Sequence, residues 1–312
     1  MTFAPSRLAL FQMNDGAYQR LLLEDCLREA RRHDFTVRAF SADNDLDTQL
    51  EQIKRCLSEP TATRPTAILV VPVRDAALLP TAYAAAQLGI GWVLLGRWTV
   101  YMARLREEFP RLPVFSVAAD QQEIGRIQGR QFRALLPSGG DLLYIRGPLG
   151  ISSAKRRFAG LQEALQGSPI TIATLSSDWT EDGGQRVMTE WLQTVRKGAL
   201  TKFVVGAQND AMAMGARNAL VGPPEAQWSP LMGRIPIVGC DGTPDYGQRL
   251  VLAGKLTATV IMPPTTGRAV QEIASMVGGS AEPEAEILLP PSSFPELTAA
   301  GRLPDRTRTA AD

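Results

Sequence analysis

The sequence predicts an α/β protein built as two doubly wound, parallel-sheet lobes, and three observations carry that prediction. Short apolar runs alternate with amphipathic stretches along nearly the whole chain, the order that lays helices over a parallel sheet. The apolar runs lack the in–out alternation of a half-solvated strand, which suits strands covered on both faces. The rhythm also restarts after residues 114–117, and 312 residues is long for one core and comfortable for two.

Taken in order, residues 8–11 read as a first strand, followed by the loop Met13-Asn14-Asp15-Gly16-Ala17-Tyr18. A helix over 19–33 carries apolar residues at Leu22, Leu23, Cys26, Leu27 and Ala30, a helical spacing. Residues 35–40 form strand two. The segment SADNDLD then leads into a helix over 47–57 with Asp47 as its N-cap. Strand three spans 67–71, a helix 76–88, and strand four 91–95, ending in Gly96-Arg97-Trp98.

In the second set Asp120 precedes a helix over 125–135, and strand 141–145, helix 153–165 and strand 170–175 follow. Next come helix 183–195, strand 203–206 and a helix over 210–220 with Asp210 as its cap. The proline-rich 222–234 reads as a surface loop, and the small, charged tail after Pro304 as disordered.

Residues 235–270 are the most informative stretch. An apolar strand over 235–238 stops at Gly239-Cys240-Asp241-Gly242. That places Asp241 beyond the carboxyl end of a strand, where open α/β sheets bind ligands. A helix over 246–253 is closed by Gly254 as its C′ residue, with Lys255 beside the negative dipole end. A strand over 256–262 then meets Pro263-Pro264, which continues neither strand nor helix.

The order VGCDGTP, GKLTATV and PPTTG resembles the type I periplasmic sugar-binding proteins and the ligand-sensing domains of lac-repressor-type regulators. The resemblance covers nearly the whole chain. It implies two lobes joined by a three-stranded hinge that closes on a small molecule in the cleft. The crossings would fall near 117–120, 262–264 and 282–287. The first lobe would then hold 1–117 and 263–282, the second 118–262 and 283–300, and a tail 301–312.

A sugar or polyol is held by polar groups that accept and donate several hydrogen bonds and by aromatic faces that stack on C–H surfaces. Strand ends supply Asn14, Tyr18, Arg97, Asp120, Trp179, Asn209 and Asp241. The resemblance implies a ligand role for Arg97, although Gly96 replaces the acidic or amide partner usual before it. It implies the same for Arg157 in RFAG, for Trp179 as a stacking aromatic, for Asn209 as an amide for hydroxyls, and for Asp241 as the carboxylate that takes two hydroxyls. Met262 stands where such proteins carry glutamine before the proline stop, implying a less polar or smaller face there.

Each residue also has a plainer reading. Asp241 is the kind of residue that merely ends a strand, lone arginines are commonly solvated, Trp179 suits a core edge, and Asn209-Asp210 suits a helix cap. Tyr18 fits the family pattern least cleanly.

Enzyme chemistry finds little support. The lone histidine, His33, sits beside Arg31 and Arg32, and no G-x-S-x-G elbow, C-x-x-C pair or Walker loop occurs. DNDLD lacks the glycine and terminal glutamate of a calcium loop, so neither metal nor cofactor is expected. A net charge of +1 supplies no field for nucleic acid or an anionic membrane, and about ten residues ahead of the first strand are too few for a helix-turn-helix. The longest apolar run, 81–96, is too short to span a bilayer. Three cysteines read as reduced and structural.

The expectation is a solute-binding protein for a sugar, polyol or derivative. Its partner is either the permease of an ABC transporter or a signalling protein. The opening residues do not read as a signal peptide, which places the chain as written in the cytoplasm, or in the periplasm if an export signal is missing from it. The rivals are an enzyme using Asp241 and Asp120, and an interaction module with a vestigial cleft.

Overall fold

A computed structural model describes residues 6–74, 76–195, 202–222, 234–280, 282–298, 301 and 303. The labelled elements are β1 (Arg7–Gln12), α1 (Ala17–Arg32), β2 (Thr36–Ser41), α2 (Leu46–Leu57), β3 (Ala67–Val70), α3 (Leu79–Gln87), β4 (Gly91–Leu95), α4 (Tyr101–Glu108) and β5 (Val114–Ala119). They continue with α5 (Gln121–Leu135), β6 (Gly140–Arg146), α6 (Ser152–Leu165), β7 (Ile170–Ser176), α7 (Glu181–Thr194), β8 (Phe203–Ala207), α8 (Asp210–Val221), β9 (Ile237–Val238), β10 (Thr259–Ile261), β11 (Glu286–Leu289) and β12 (Ser292–Phe294). Two short helical pieces, Pro244–Gln248 and Arg249–Leu252, follow β9, and a helix Thr266–Val277 precedes β11.

The chain divides into two compact units: 1–119 with 263–289, and 120–262 with 290–312. In the first, six parallel strands run in the order β11-β5-β4-β3-β1-β2. Period-two alternation sends Leu8, Leu10, Leu69, Val93 and Leu95 into a core beneath α1 and Thr266–Val277. The intervening Ala9, Phe11, Ile68, Val70, Trp92 and Leu94 face the other core, under α2, α3 and α4. This two-sided burial explains the continuous apolar runs.

The second unit repeats the plan with parallel strands in the order β7-β6-β8-β9. Leu143 and Ile145 enter one core, Leu142 and Tyr144 the other. Helices α5 and α6 touch backbone to backbone: a Cβ on Gly125 would stand 1.9 Å from the Arg157 carbonyl oxygen, and one on Gly160 1.9 Å from that of Gln122.

Several expected boundaries move. The units divide at 119/120 and 289/290, not at 117/118 and 282/283, because β5 runs on to Ala119 and β11 extends the first sheet in register with it, Glu286 opposite Ser116 through Leu289 opposite Ala119. Helix α4 lies in a stretch given no element above. Of the strand expected over 256–262, Thr259–Ile261 forms a ladder, antiparallel with β12, while single parallel bridges, Val238 with Ala258 and Asp241 with Ile261, join the same segment to the end of β9. The strand expected from 235 begins at Ile237. Asp45, not Asp47, caps α2, accepting from the Thr48 N–H at 2.7 Å. Nearly all of the 222–234 loop and of the 301–312 tail lies outside the described residues. Among the described residues no helix is long and apolar enough to cross a membrane.

Candidate ligand-binding site

In each unit the candidate residues gather at the carboxyl ends of the strands, so each unit is built up by itself. In the second, β9 delivers Asp241 through Gly239 and Cys240, and the backbone around Asp241 is tied on both sides. Gly239 N–H donates to Ala258 O at 2.9 Å, Asp241 N–H to Val260 O at 3.1 Å, and Met262 N–H to Asp241 O at 3.0 Å. Asp241 adopts φ +101°, and Gly242 follows at +54°. A non-glycine residue held there is strained, and such strain points toward function.

The strain is held by Asp210, the first residue of α8. Its Oδ2 accepts from Gly242 N–H at 2.8 Å and its Oδ1 from the Thr259 hydroxyl at 2.6 Å. The cap of α8 is instead Asn209, whose Oδ1 accepts from Met212 N–H at 2.9 Å, so Asp210 does not have the capping role expected of it.

Arg157 lies in α6 and is buried, not solvated. Its Nε donates to Gln121 Oε1 at 2.7 Å, Nη1 to the Gln208 carbonyl oxygen, and Nη2 meets the Met262 sulfur at 2.8 Å. Its guanidinium carbon stands 5.7 Å from the Trp179 ring centroid, within cation–π range. Gln208 locks the neighbouring loops: its Oε1 accepts from Gly147 N–H and its Nε2 donates to Ala154 O, both at 2.9 Å. Trp179, at φ +71°, packs its indole on Gly147, where a Cβ would stand 2.0 Å from Cζ2. Asn209 Nδ2 donates to the Trp179 carbonyl at 2.9 Å. Asp120 caps α5, its Oδ1 accepting from Gln122 and Glu123 N–H, each at 3.0 Å.

The electrostatics centre on two acids. Burial, then the Asp241 charge, push Asp210 well above the usual carboxylate range. Burial pushes Asp241 up to about 7 against the pull of the Arg157 guanidinium. Burial likewise pushes the Cys240 thiol up to about 12.

The first unit places Asn14 and Arg97 just beyond strand ends, whereas Tyr18, expected in the loop after β1, lies in the first turn of α1. Asn14 Oδ1 accepts from Gly16 N–H at 3.0 Å and its Nδ2 donates to Asn44 Oδ1 at 2.8 Å. The Tyr18 hydroxyl donates to Pro263 O at 2.9 Å. Arg97 is buried behind Gly96, which sits at φ +84°, a conformation that explains glycine in place of an acid or amide.

The second unit therefore brings together Arg157, Trp179, Asn209, Asp241 and Met262, with Asp120 as a helix cap. A carboxylate at a strand end beside a partly exposed indole is suited to hydroxyls flanked by C–H surface. Among the described residues no cluster of histidine, cysteine or acidic side chains is arranged to hold a metal.

Comparison with known proteins agrees with this construction. The periplasmic binding protein domain family matches residues 9–279. The chain belongs to that family. Its relatives include the ribose import binding protein RbsB of Salmonella typhimurium, 32% identical over 166 residues, 53% of this chain and 52% of that protein. A xylitol-binding protein of Mycolicibacterium smegmatis is 31% identical over 223 residues, 70% of this chain and 56% of that protein. The chain thus spans about half the length of these curated relatives. In fold it is similar to an ABC transporter solute-binding protein from Bacillus halodurans solved with bound myo-inositol, at TM-score 0.74 and 20% identity, covering 93% of this chain and 94% of that one. The family is one of solute-binding proteins.

The supporting roles of three residues escaped the sequence reading: Asp210, read only as a cap, and Gln121 and Gln208, not singled out. Each directly adjoins a residue already singled out (Asn209 or Asp120). Polar neighbours of a helix cap at a strand end were the available signal.

Proposed function

We propose that this chain is a solute-binding protein that takes a small polyhydroxylated ligand (a sugar, polyol or cyclitol) at the strand-end edge where Asp241 lies. The observation that carries the reading is Asp241 itself: a carboxylate held at φ +101° at a strand end, within the field of the buried Arg157. A carboxylate there accepts two hydroxyl hydrogen bonds, and charge-assisted bonds of this kind are the stronger ones. Relatives named for ribose and xylitol and a structural neighbour carrying myo-inositol support the ligand class.

Asn14, Tyr18 and Arg97 are the contributions we assign to the first unit. We read the protein as non-catalytic. Asp120, which the enzyme reading pairs with Asp241, already accepts two backbone amides as a helix cap. Its partner would be an ABC permease if it works in the periplasm, or a signalling protein if it works in the cytoplasm.

Thermal unfolding against ribose, xylitol, myo-inositol and related sugars, polyols and sugar acids tests the reading. Ligand at a hundred times its dissociation constant stabilises the native state by about 2.7 kcal/mol, a shift of a few degrees. A panel without any shift would overturn it.

A further inference from the structure

We propose that Asp210 is the positioning residue of the site: it clamps the loop that aims Asp241 and, as a buried acid next to it, controls the charge Asp241 carries. The ligand part of this inference rests on the function proposed above; the structural part does not.

The clamp is visible in the covalent neighbourhood. Asp241 is followed by Gly242, whose N–H reaches Asp210 Oδ2 at 2.8 Å. The Gly242 carbonyl is held in turn by Gln248 Nε2 at 2.8 Å. The other oxygen of Asp210 takes the Thr259 hydroxyl at 2.6 Å, tying α8 to β10. The loop closes so tightly that a Cβ on Gly239 would stand 2.1 Å from Oδ1, and one on Gly247 2.0 Å from Oδ2. Neither glycine needs a left-handed φ, so their lack of a side chain is explained by the carboxylate they enclose. Remove that carboxylate and the Gly242 N–H loses its acceptor, leaving the turn that imposes φ +101° on Asp241 to the Gln248 bond and the backbone bonds of Asp241 with Val260 and Met262.

Charge follows from the same closeness. The groups that face the pair are the Arg157 guanidinium on α6, the Cys240 thiol and the Tyr246 phenol, with Glu181 of α7 behind it, accepting from the Tyr246 hydroxyl at 3.1 Å. One cation thus serves a buried acid, Asp210, and a half-buried one, Asp241. Two such acids cannot both ionise cheaply, so they release protons in two coupled steps that belong to the pair. Burial raises both acids and the Asp241 charge raises Asp210 further, the direction that holds a proton on the pair.

The test is a carbon-13 carboxyl NMR titration of the ligand-free protein, with Asp241 assigned from Asp241→Asn. In the wild type we expect the Asp241 signal to report two coupled steps. In Asp210→Asn, which preserves shape and can still accept from Gly242 N–H, the upper step should disappear. Reciprocally, Asp210 in Asp241→Asn should titrate in one step, a readout that survives if Asp210→Asn does not fold. Asp241 following the same curve with and without the Asp210 charge would overturn the inference. With xylitol, ribose or myo-inositol as probe, Asp210→Ala should weaken binding by about tenfold or more, while Asp210→Asn retains binding with a pH dependence lacking the upper step. A flat ligand panel with an intact coupled titration would sink the proposed function and leave the positioning role standing.

Discussion

The sulfur of Met262 lies 2.8 Å from Nη2 of Arg157, on the guanidinium that also bonds Gln121 and Gln208. A soft, weakly accepting thioether therefore occupies a position beside the most buried cation of the site. The side chain at 262 fixes how polar this face is.

Met262→Gln places an amide where the thioether sits. We expect it to shift ligand preference toward more densely hydroxylated rings and away from smaller or less polar ones. Isothermal titration calorimetry of wild type and variant against ribose, xylitol and myo-inositol reads the ranking directly. An unchanged order would remove Met262 from the specificity determinants.

Asp241→Ala is expected to abolish ligand-dependent stabilisation while leaving the ligand-free circular dichroism spectrum unchanged. Strand-end loops contribute little to a core, and the backbone bonds of Asp241 to Val260 and Met262 do not need its side chain. Retained ligand stabilisation in this variant would remove Asp241 from the site.

The same residue has a pH signature. Burial raises Asp241 from 3.8 to about 7, so the folded protein holds this proton more tightly than the unfolded chain does. Its contribution to stability is therefore fullest below about pH 4 and is lost as pH rises through about 7. Urea unfolding should show Asp241→Asn gaining stability relative to wild type as pH rises across that window. A difference independent of pH would contradict the raised acidity.

Much of this was readable from residues 235–270, because a strand end, a glycine-closed helix and a proline stop leave few alternatives. The continuous apolar runs were legible as strands covered on both faces; which core each residue enters, Leu8 and Leu10 one and Ala9 and Phe11 the other, is given by the structure. What escaped were choices between adjacent residues of similar propensity. Asn209 and Asp210 both suit a cap, and only tertiary structure decides that Asn209 caps while Asp210 turns inward to Gly242 and Thr259. Asp45 and Asp47 posed the same ambiguity at α2. The third boundary escaped because a four-residue strand, Glu286–Leu289, declares its sheet only through its partner β5.

Asp25→Ala is expected to lower unfolding stability by about 1–3 kcal/mol without altering ligand affinity. Asp25 is buried in α1 and accepts the Gly267 N–H at 2.5 Å, at the start of Thr266–Val277. Beside it the Thr266 hydroxyl donates to Leu22 O at 2.6 Å. Removing the carboxylate orphans a buried helix-end amide. Urea denaturation measures the loss, and no loss would show that the amide finds another partner.

The three cysteines are free and buried, and burial pushes the Cys26 and Cys240 thiols up to about 12. Since the thiolate is the reactive form, native protein should resist iodoacetamide at pH 8, and all three should alkylate in denaturant. Mass spectrometry counts the adducts; rapid native labelling of Cys240 would contradict its burial.

The final stretch of described chain serves both halves: Thr266–Val277 and β11 complete the first unit, and β12 closes on β10 in the second. During synthesis, therefore, the first half lacks a strand until Leu289 is made and the second until Phe294 is made. A nascent chain halted at residue 262 would carry two unfinished sheets with open apolar flanks, exposing Leu22 and Cys26 on one and the β10 edge on the other. For this chain, vulnerability to misassembly is concentrated in the interval before residues 286–294 are made. No single cut in the sequence yields two independent halves.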